Sequence, residues 1–348
     1  MKTCKSNTEK QESLGDSHVT EGVYESNFQK RIGWEGDVSP LLQEVCATYD
    51  IGTYQSHQSI PIGYEDFNLI LTTDRGAYMV KAFAEWRDKK NCDRYIKIMT
   101  AVIDAGVSHP KLYNSSSGHL YETVKDGTPI RLCVMEYIDG ESWYDSNTRP
   151  TLDDVPFFAN QATRIHSIDL QPEPFYNEWS IVHFLAEYEK KRLHLTEEDA
   201  QLLAPLVKKF ASLDITSLPH CFAHGDIIKT NVLQAEDGSR YIIDFSISGT
   251  YPRIQEHAVL LCNVLFDEDS PDTFMSFYDR FLSEYQKGIV LTNEELEALP
   301  LFVKTAHAMH LLNANYEKVR NGNSAIENQY WLDLGRKGLQ YFKRTADF

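Results

Sequence analysis

Between His224 and Phe245 the chain has little freedom in how it can fold. The stretch reads His224-Gly225-Asp226-Ile227-Ile228-Lys229-Thr230-Asn231, and Ile243-Asp244-Phe245 follows a dozen residues later. Gly225 permits a tight turn that points the Asp226 carboxylate outward. Asn231 opens an apolar run through Val232 and Leu233, Gly238 supplies a turn, and residues 241–245 return as a second strand. Such a hairpin puts Asn231 and Asp244 close together, near the loop that carries Asp226. Two oxygen ligands beside a free carboxylate suit phosphoryl transfer from a Mg-nucleotide. The metal takes hard oxygen donors, and the accepting hydroxyl needs a base. An Asp and an Asn at this spacing often occur by chance, and a lone histidine is usually structural. Loop, strand, turn and terminal Asp together are much rarer.

The combination resembles the aminoglycoside phosphotransferase and choline kinase-like family, small-molecule kinases of the protein-kinase-like fold. Its loop runs H-G-D-x-x-x-x-N, with an apolar-x-D-[FW] strand behind it. The resemblance implies Asp226 as catalytic base, Asn231 and Asp244 as Mg²⁺ ligands, and ATP or GTP as phosphate donor. It also implies a two-lobed α+β fold. After a polar tail over residues 1–36, an N-terminal nucleotide-binding lobe of antiparallel sheet plus helix spans 37–137. A larger, mostly helical catalytic and substrate-binding lobe spans 138–348.

The upstream pattern is compatible with this. Ser39 and Pro40 read as the N-cap and first turn of a helix reaching Tyr49. The period then becomes two, and residues 58–62, 68–73 and 77–83 read as three strands. The first connection, Gly63-Tyr64-Glu65-Asp66, would be the flap over the nucleotide phosphates, although it lacks G-x-G-x-x-G. Lys81 stands inside an apolar strand, where lysine is rarely buried without a partner. Its plain reading is an outward-facing residue on an edge strand; its spacing matches the family's phosphate-binding lysine.

Residues 91–105 read as a helix, with Tyr95, Ile98, Met99 and Val102 on one face. The family places a glutamate there to pair with the strand lysine, but the corresponding position falls near Ile96, which cannot do so. Either Asp93, one turn earlier, substitutes, or the lysine is held differently. Residues 112–121 and 130–137 read as two more strands. The resemblance makes Val134 to Gly140 a hinge whose backbone at Glu136 and Ile138 bonds the base.

From Thr151 onward helical patterns dominate: a capped helix to His166, then segments over 179–191, 196–213, 254–266, 272–285, 293–313 and 325–345. His166 is expected to support the catalytic loop, and Glu256 stands near an aspartate that braces that loop in the family.

A formal charge of −17 argues against nucleic acid and anionic membranes as partners. Six cysteines without C-x-x-C spacing read as reduced thiols, and no leader or membrane-length apolar run occurs, so a cytoplasmic protein is expected. The pairs His307/His310 and His220/His224 lack the further ligands a zinc site needs. Asp267 to Asp269 remains a candidate cation patch. The expected activity is transfer of a γ-phosphate to a hydroxyl of a small molecule, aminoglycoside-like or homoserine-like. The alternative is a nucleotide-binding protein of the same fold with little or no transferase activity.

Overall fold

The computed structural model describes residues 29–60, 66–174 and 176–345. Most of the polar tail, residues 61 and 62 of the first expected strand and residues 63–65 of the expected flap lie outside the described residues. The described chain is mixed α+β and divides into two compact units. The first runs to Ile96 and includes Lys111–Tyr137; the second takes Lys97–Pro110 and everything from Ile138. The chain passes from one unit to the other after Tyr137, after Pro110 and inside the Lys89–Asp104 helix. Ile98, Val102 and Val107 explain why, since they belong to the core of the second unit.

In the first unit five strands form one antiparallel sheet: β1 (Tyr54–Ile60), β2 (Phe67–Thr73), β3 (Gly76–Ala82), β4 (Tyr121–Lys125) and β5 (Thr128–Glu136). Their order is β1-β2-β3-β5-β4. Strand alternation buries Phe67, Leu69 and Leu71 together with Tyr78, Val80 and Ala82 on one face, where Leu42 and Val45 of the Ser39–Tyr49 helix join the same core. Each fully buried Val or Leu there contributes roughly 1.5–3 kcal/mol. β3 is central, so Lys81 is not an edge residue: it faces away from Val80 and yet is only 7% exposed.

Two expected starts and one strand differ. Val38 is the N-cap of the Ser39–Tyr49 helix, and Asp37 Oδ1 accepts from Ser39 N. Of residues 112–121 only Leu112, bridged to Met135, and Tyr121, which opens β4 opposite Leu132, pair with a strand, because Ser115 and Gly118 close a turn on one another. Asn114 to Gly118 is turn chemistry that overrode the extended pattern. Thr151 does not cap its helix, which begins at Val155; instead Thr151 N and Oγ1 both donate to Asp154 Oδ2.

The second unit is mostly helical. Its Asn293–Arg320 helix is buried nearly all round along its middle and is started by a capping box between Thr292 and Glu295. Helices Arg253–Asn263 and Ile326–Arg344 contribute to the same core. Two small sheets complete the unit. β6 (Gly140–Ser142), β8 (Val232–Ala235) and β9 (Arg240–Ile242) form one, and β7 (His220–Ala223) pairs with β10 (Gly249–Pro252) in the other. Among the described residues no helix is long and apolar enough to cross a membrane.

Candidate active site

β8 and β9 pair in antiparallel register, Val232 opposite Ile242, and Ile243 N donates to Asn231 O at 3.0 Å. The hairpin therefore carries Asn231 and Asp244 on adjacent chain ends. Asn231 Nδ2 donates both to Asp226 O and to Asp226 Oδ2, each at 3.0 Å. That leaves the other Asp226 carboxylate oxygen and the Asn231 side-chain oxygen Oδ1 as hard acceptors. Asp244 holds a left-handed backbone, φ +65°, and its Oδ1 accepts from Ser246 N at 3.3 Å. Outside glycine that conformation costs roughly 1–2 kcal/mol, least for Asp and Asn. Gly225 also has positive φ, +82°, and an added Cβ there would meet only ordinary contacts, so backbone conformation rather than space requires the glycine.

Burial, then the neighbouring Asp244 charge, pushes the Asp226 carboxyl up to about 7. Two carboxylates thus repel one another beside an amide oxygen, a donor set that a divalent cation of the magnesium type satisfies.

His224 sets the loop from below. Asp226 N donates to its Nδ1 at 3.2 Å, so Nε2 carries the proton and donates to Ile243 O at 3.0 Å. Burial holds this ring neutral, its pKa pushed down to about 4, and it packs on Phe245 with centroids 4.2 Å apart. Glu256 does brace the loop: its Oε2 accepts from Gly225 N at 2.8 Å. The carboxyl is fully buried, and burial followed by Asp226 raises it to about 7 against those backbone bonds. His166 has a different place from the one its position suggested. Its Nδ1 lies 2.7 Å from Tyr285 Oη and its ring 5.5 Å from His257, in a buried cluster.

The Glu256 brace can be measured. Glu256→Ala strands the Gly225 N–H, which should lower stability by about 1–3 kcal/mol. Glu256→Gln keeps an oxygen for that bond and should lose less than half as much in urea unfolding. Equal losses for the two variants would assign the effect to packing alone.

In the first unit Lys81 pairs with Asp66 at 3.1 Å, and Asp66 also takes Arg87 at 3.0 Å; the Lys81 and Asp66 side chains are 9% and 3% exposed. Lys81 Nζ also lies 5.2 Å from the Tyr95 ring centroid. Asp93 is not the acid on Lys81: it sits on an exposed helix face and pairs with Lys89 at 3.4 Å. In the sequence Asp66 falls at the end of a turn-like connection. The available signal was register, because Asp66 directly precedes Phe67, which pairs with Ala82. Glu136 ends β5 opposite Tyr78, and its N–H donates to Lys111 O at 2.8 Å. Ile138 lies half-buried at the start of the second unit.

A model of the phosphotransferase enzyme family (APH) matches residues 56–298. The homoserine kinase of Bradyrhizobium sp. strain BTAi1 is 25% identical over 281 residues, 78% of this chain and 82% of that protein. Among solved structures, a microcompartment-associated aminopropanol kinase superposes with a TM-score of 0.65 at 14% identity, covering 88% of this chain and 96% of that one. The amicoumacin kinase hAmiN, in complex with AMP-PNP, Ca²⁺ and Ami, reaches 0.60 at 18% identity, with 88% and 94% covered.

Proposed function

The chain belongs to the phosphotransferase enzyme family, and on that premise we propose that it moves the γ-phosphate of Mg-ATP or Mg-GTP to a hydroxyl of a small molecule, with Asp226 as base. The convergence of Asp226, Asn231 and Asp244 at one loop and hairpin carries this reading. The Asn231 side-chain oxygen Oδ1 and Asp244 would hold Mg²⁺, which neutralises phosphate charge when bound. Asn231 Nδ2 anchors one Asp226 oxygen, so the other faces the acceptor hydroxyl and takes its proton. Lys81, held by Asp66, would take the α- and β-phosphates, and the backbone of Glu136 and Ile138 would take the base. In this reading Asp66 replaces Asp93 as the acid that orients the lysine.

The test is ADP release with ATP and GTP over amino alcohols, hydroxy amino acids, sugars and aminoglycosides. Homoserine and aminopropanol, named for the similar kinases, head the panel. Mg²⁺-dependent turnover on one acceptor class is the expected result. Tight Mg-nucleotide binding with no turnover across the panel would favour the nucleotide-binding alternative. By calorimetry, Asp244→Asn should weaken Mg-nucleotide binding about tenfold or more, the scale of one lost charge-assisted ligand contact. Unchanged affinity would remove Asp244 from the metal role.

A further inference from the structure

The two carboxylate oxygens of Asp66 divide their partners unequally. Oδ1 accepts from Ala84 N and from Arg87 Nε, each at 3.0 Å, while Oδ2 lies 3.1 Å from Lys81 Nζ. The two donors on Oδ1 belong to one turn, since Arg87 N donates to Ala84 O at 2.9 Å. Arg87 is itself locked in place. Its carbonyl accepts from Arg131 Nη1 at 3.3 Å and from Cys92 Sγ at 3.7 Å, and its Cζ lies 4.4 Å from the Trp86 ring centroid. The pair with Asp66 is buried on both sides, unlike the solvated surface pairs that contribute little. Arg31 Nη1 donates to Asp66 O at 3.2 Å and fixes the backbone there.

This division has a consequence for Lys81. A lysine on its four-carbon stem has many rotamers, and freezing one of them costs entropy that an arriving ligand otherwise meets. Asp66 Oδ2 removes that freedom in advance, provided the carboxylate itself does not turn. Ala84 N alone is a single point about which the carboxylate can swing. The Arg87 guanidinium adds a charge-assisted bond to the same oxygen, so Oδ2 keeps its aim at Lys81. The arrangement also decides which cation is exchangeable. Lys81 can pass to another anion without disturbing Oδ1, whereas withdrawing Arg87 loosens the carboxylate that orients Lys81.

We infer that Arg87 is a positioning residue of the nucleotide site: through Asp66 it holds Lys81 in the orientation that receives the α- and β-phosphates, and it meets neither phosphate nor base itself. The inference rests on the phosphate-binding role proposed above for Lys81. Loss of Arg87 therefore weakens the hold on the phosphates and leaves the hold on the base, which backbone supplies, as it was.

Calorimetry on the full chain tests this, with Mg-ATP or Mg-GTP, whichever the parent binds, and with the matching nucleoside, which carries the base and no phosphate. Lys81→Met sets the scale of the lysine's own contribution. Arg87→Met keeps the apolar stem without the charge and should weaken Mg-nucleotide binding about tenfold, the scale of one charge-assisted hydrogen bond. Its nucleoside affinity should be unchanged. In the Lys81→Met background the same change should have no further effect, because no lysine is left to position. Arg87→Lys keeps the charge but not the planar fork, and should fall between the parent and Arg87→Met. Thermal melts check folding of each variant, and Arg87→Lys supplies the result if Arg87→Met does not fold. Three outcomes overturn the inference. Losses that add in the double variant mean that Arg87 meets phosphate directly. Equal losses for nucleoside and nucleotide mean a general loosening of the fold. Unchanged nucleotide affinity in folded Arg87→Met means that Asp66 needs no second anchor. Failure of the underlying reading shows differently, as Lys81→Met binding Mg-nucleotide as tightly as the parent, and the inference falls with it.

Discussion

Asp226→Asn should lower turnover on the true acceptor by at least roughly 10²–10⁴-fold, the usual worth of a general base. The asparagine keeps the shape of the side chain and still offers an oxygen to Asn231 Nδ2, so the loop should hold its form. What is lost is the second oxygen as proton acceptor. Mg-nucleotide affinity should change little, since Asn231 and Asp244 are intact. The split between kcat and nucleotide affinity is the informative quantity, read by steady-state kinetics alongside calorimetry. Near-normal turnover in this variant would show that Asp226 does not accept the proton.

The second large effect is acid lability. Five described histidines, His166, His224, His257, His307 and His310, are buried and held neutral, chiefly by burial. For His224 and His310 the folded pKa falls to about 4, and for His257 and His307 to about 3. Below the ordinary histidine value of 6.5 the unfolded chain binds protons that the folded chain refuses, so stability falls with pH from there toward the folded values. Each unit of depression is about 1.4 kcal/mol, and a domain has only about 5–15 kcal/mol in total.

Asp226 and Glu256 act in the opposite sense, since their raised values make the folded state the better proton binder between ordinary carboxylate pKa values and about 7. Two carboxylates do not offset five histidines. Denaturant unfolding should therefore lose several kcal/mol between pH 6.5 and pH 4.5. His257→Phe, which removes one such group where the ring packs against Phe281 and Tyr285, should flatten that slope. A slope unaltered by that change would show that His257 takes no part in the acid transition.

Parts of the molecule were legible because they are local. The Asp226–Asn231 spacing, the Gly238 turn and the return to Asp244 lie within one hairpin, where neighbouring backbone geometry alone brings oxygens together. The helix at Thr196 is similar: its side chain caps Asp199 N, as the residue pattern implies. The strand expected over residues 112–121 failed for the same local reason, since Ser115 to Gly118 forms a turn. Lys81 stood out as a cation in an apolar strand, but its partner did not. Asp93 lay at a plausible helical spacing, whereas Asp66 reaches Lys81 only because β2 and β3 pair in one register.

By itself, then, the order of residues determined the α+β class, the family and the oxygen-rich loop, all of which rest on short-range spacing and turn chemistry. Tertiary structure alone decided which acid holds Lys81, that Glu256 reaches Gly225 across 31 positions, and that Arg87 reaches Asp66 across 21. Those choices depend on burial. A side chain's charge state and partner are set by what is packed around it once water is gone, and no local pattern records that.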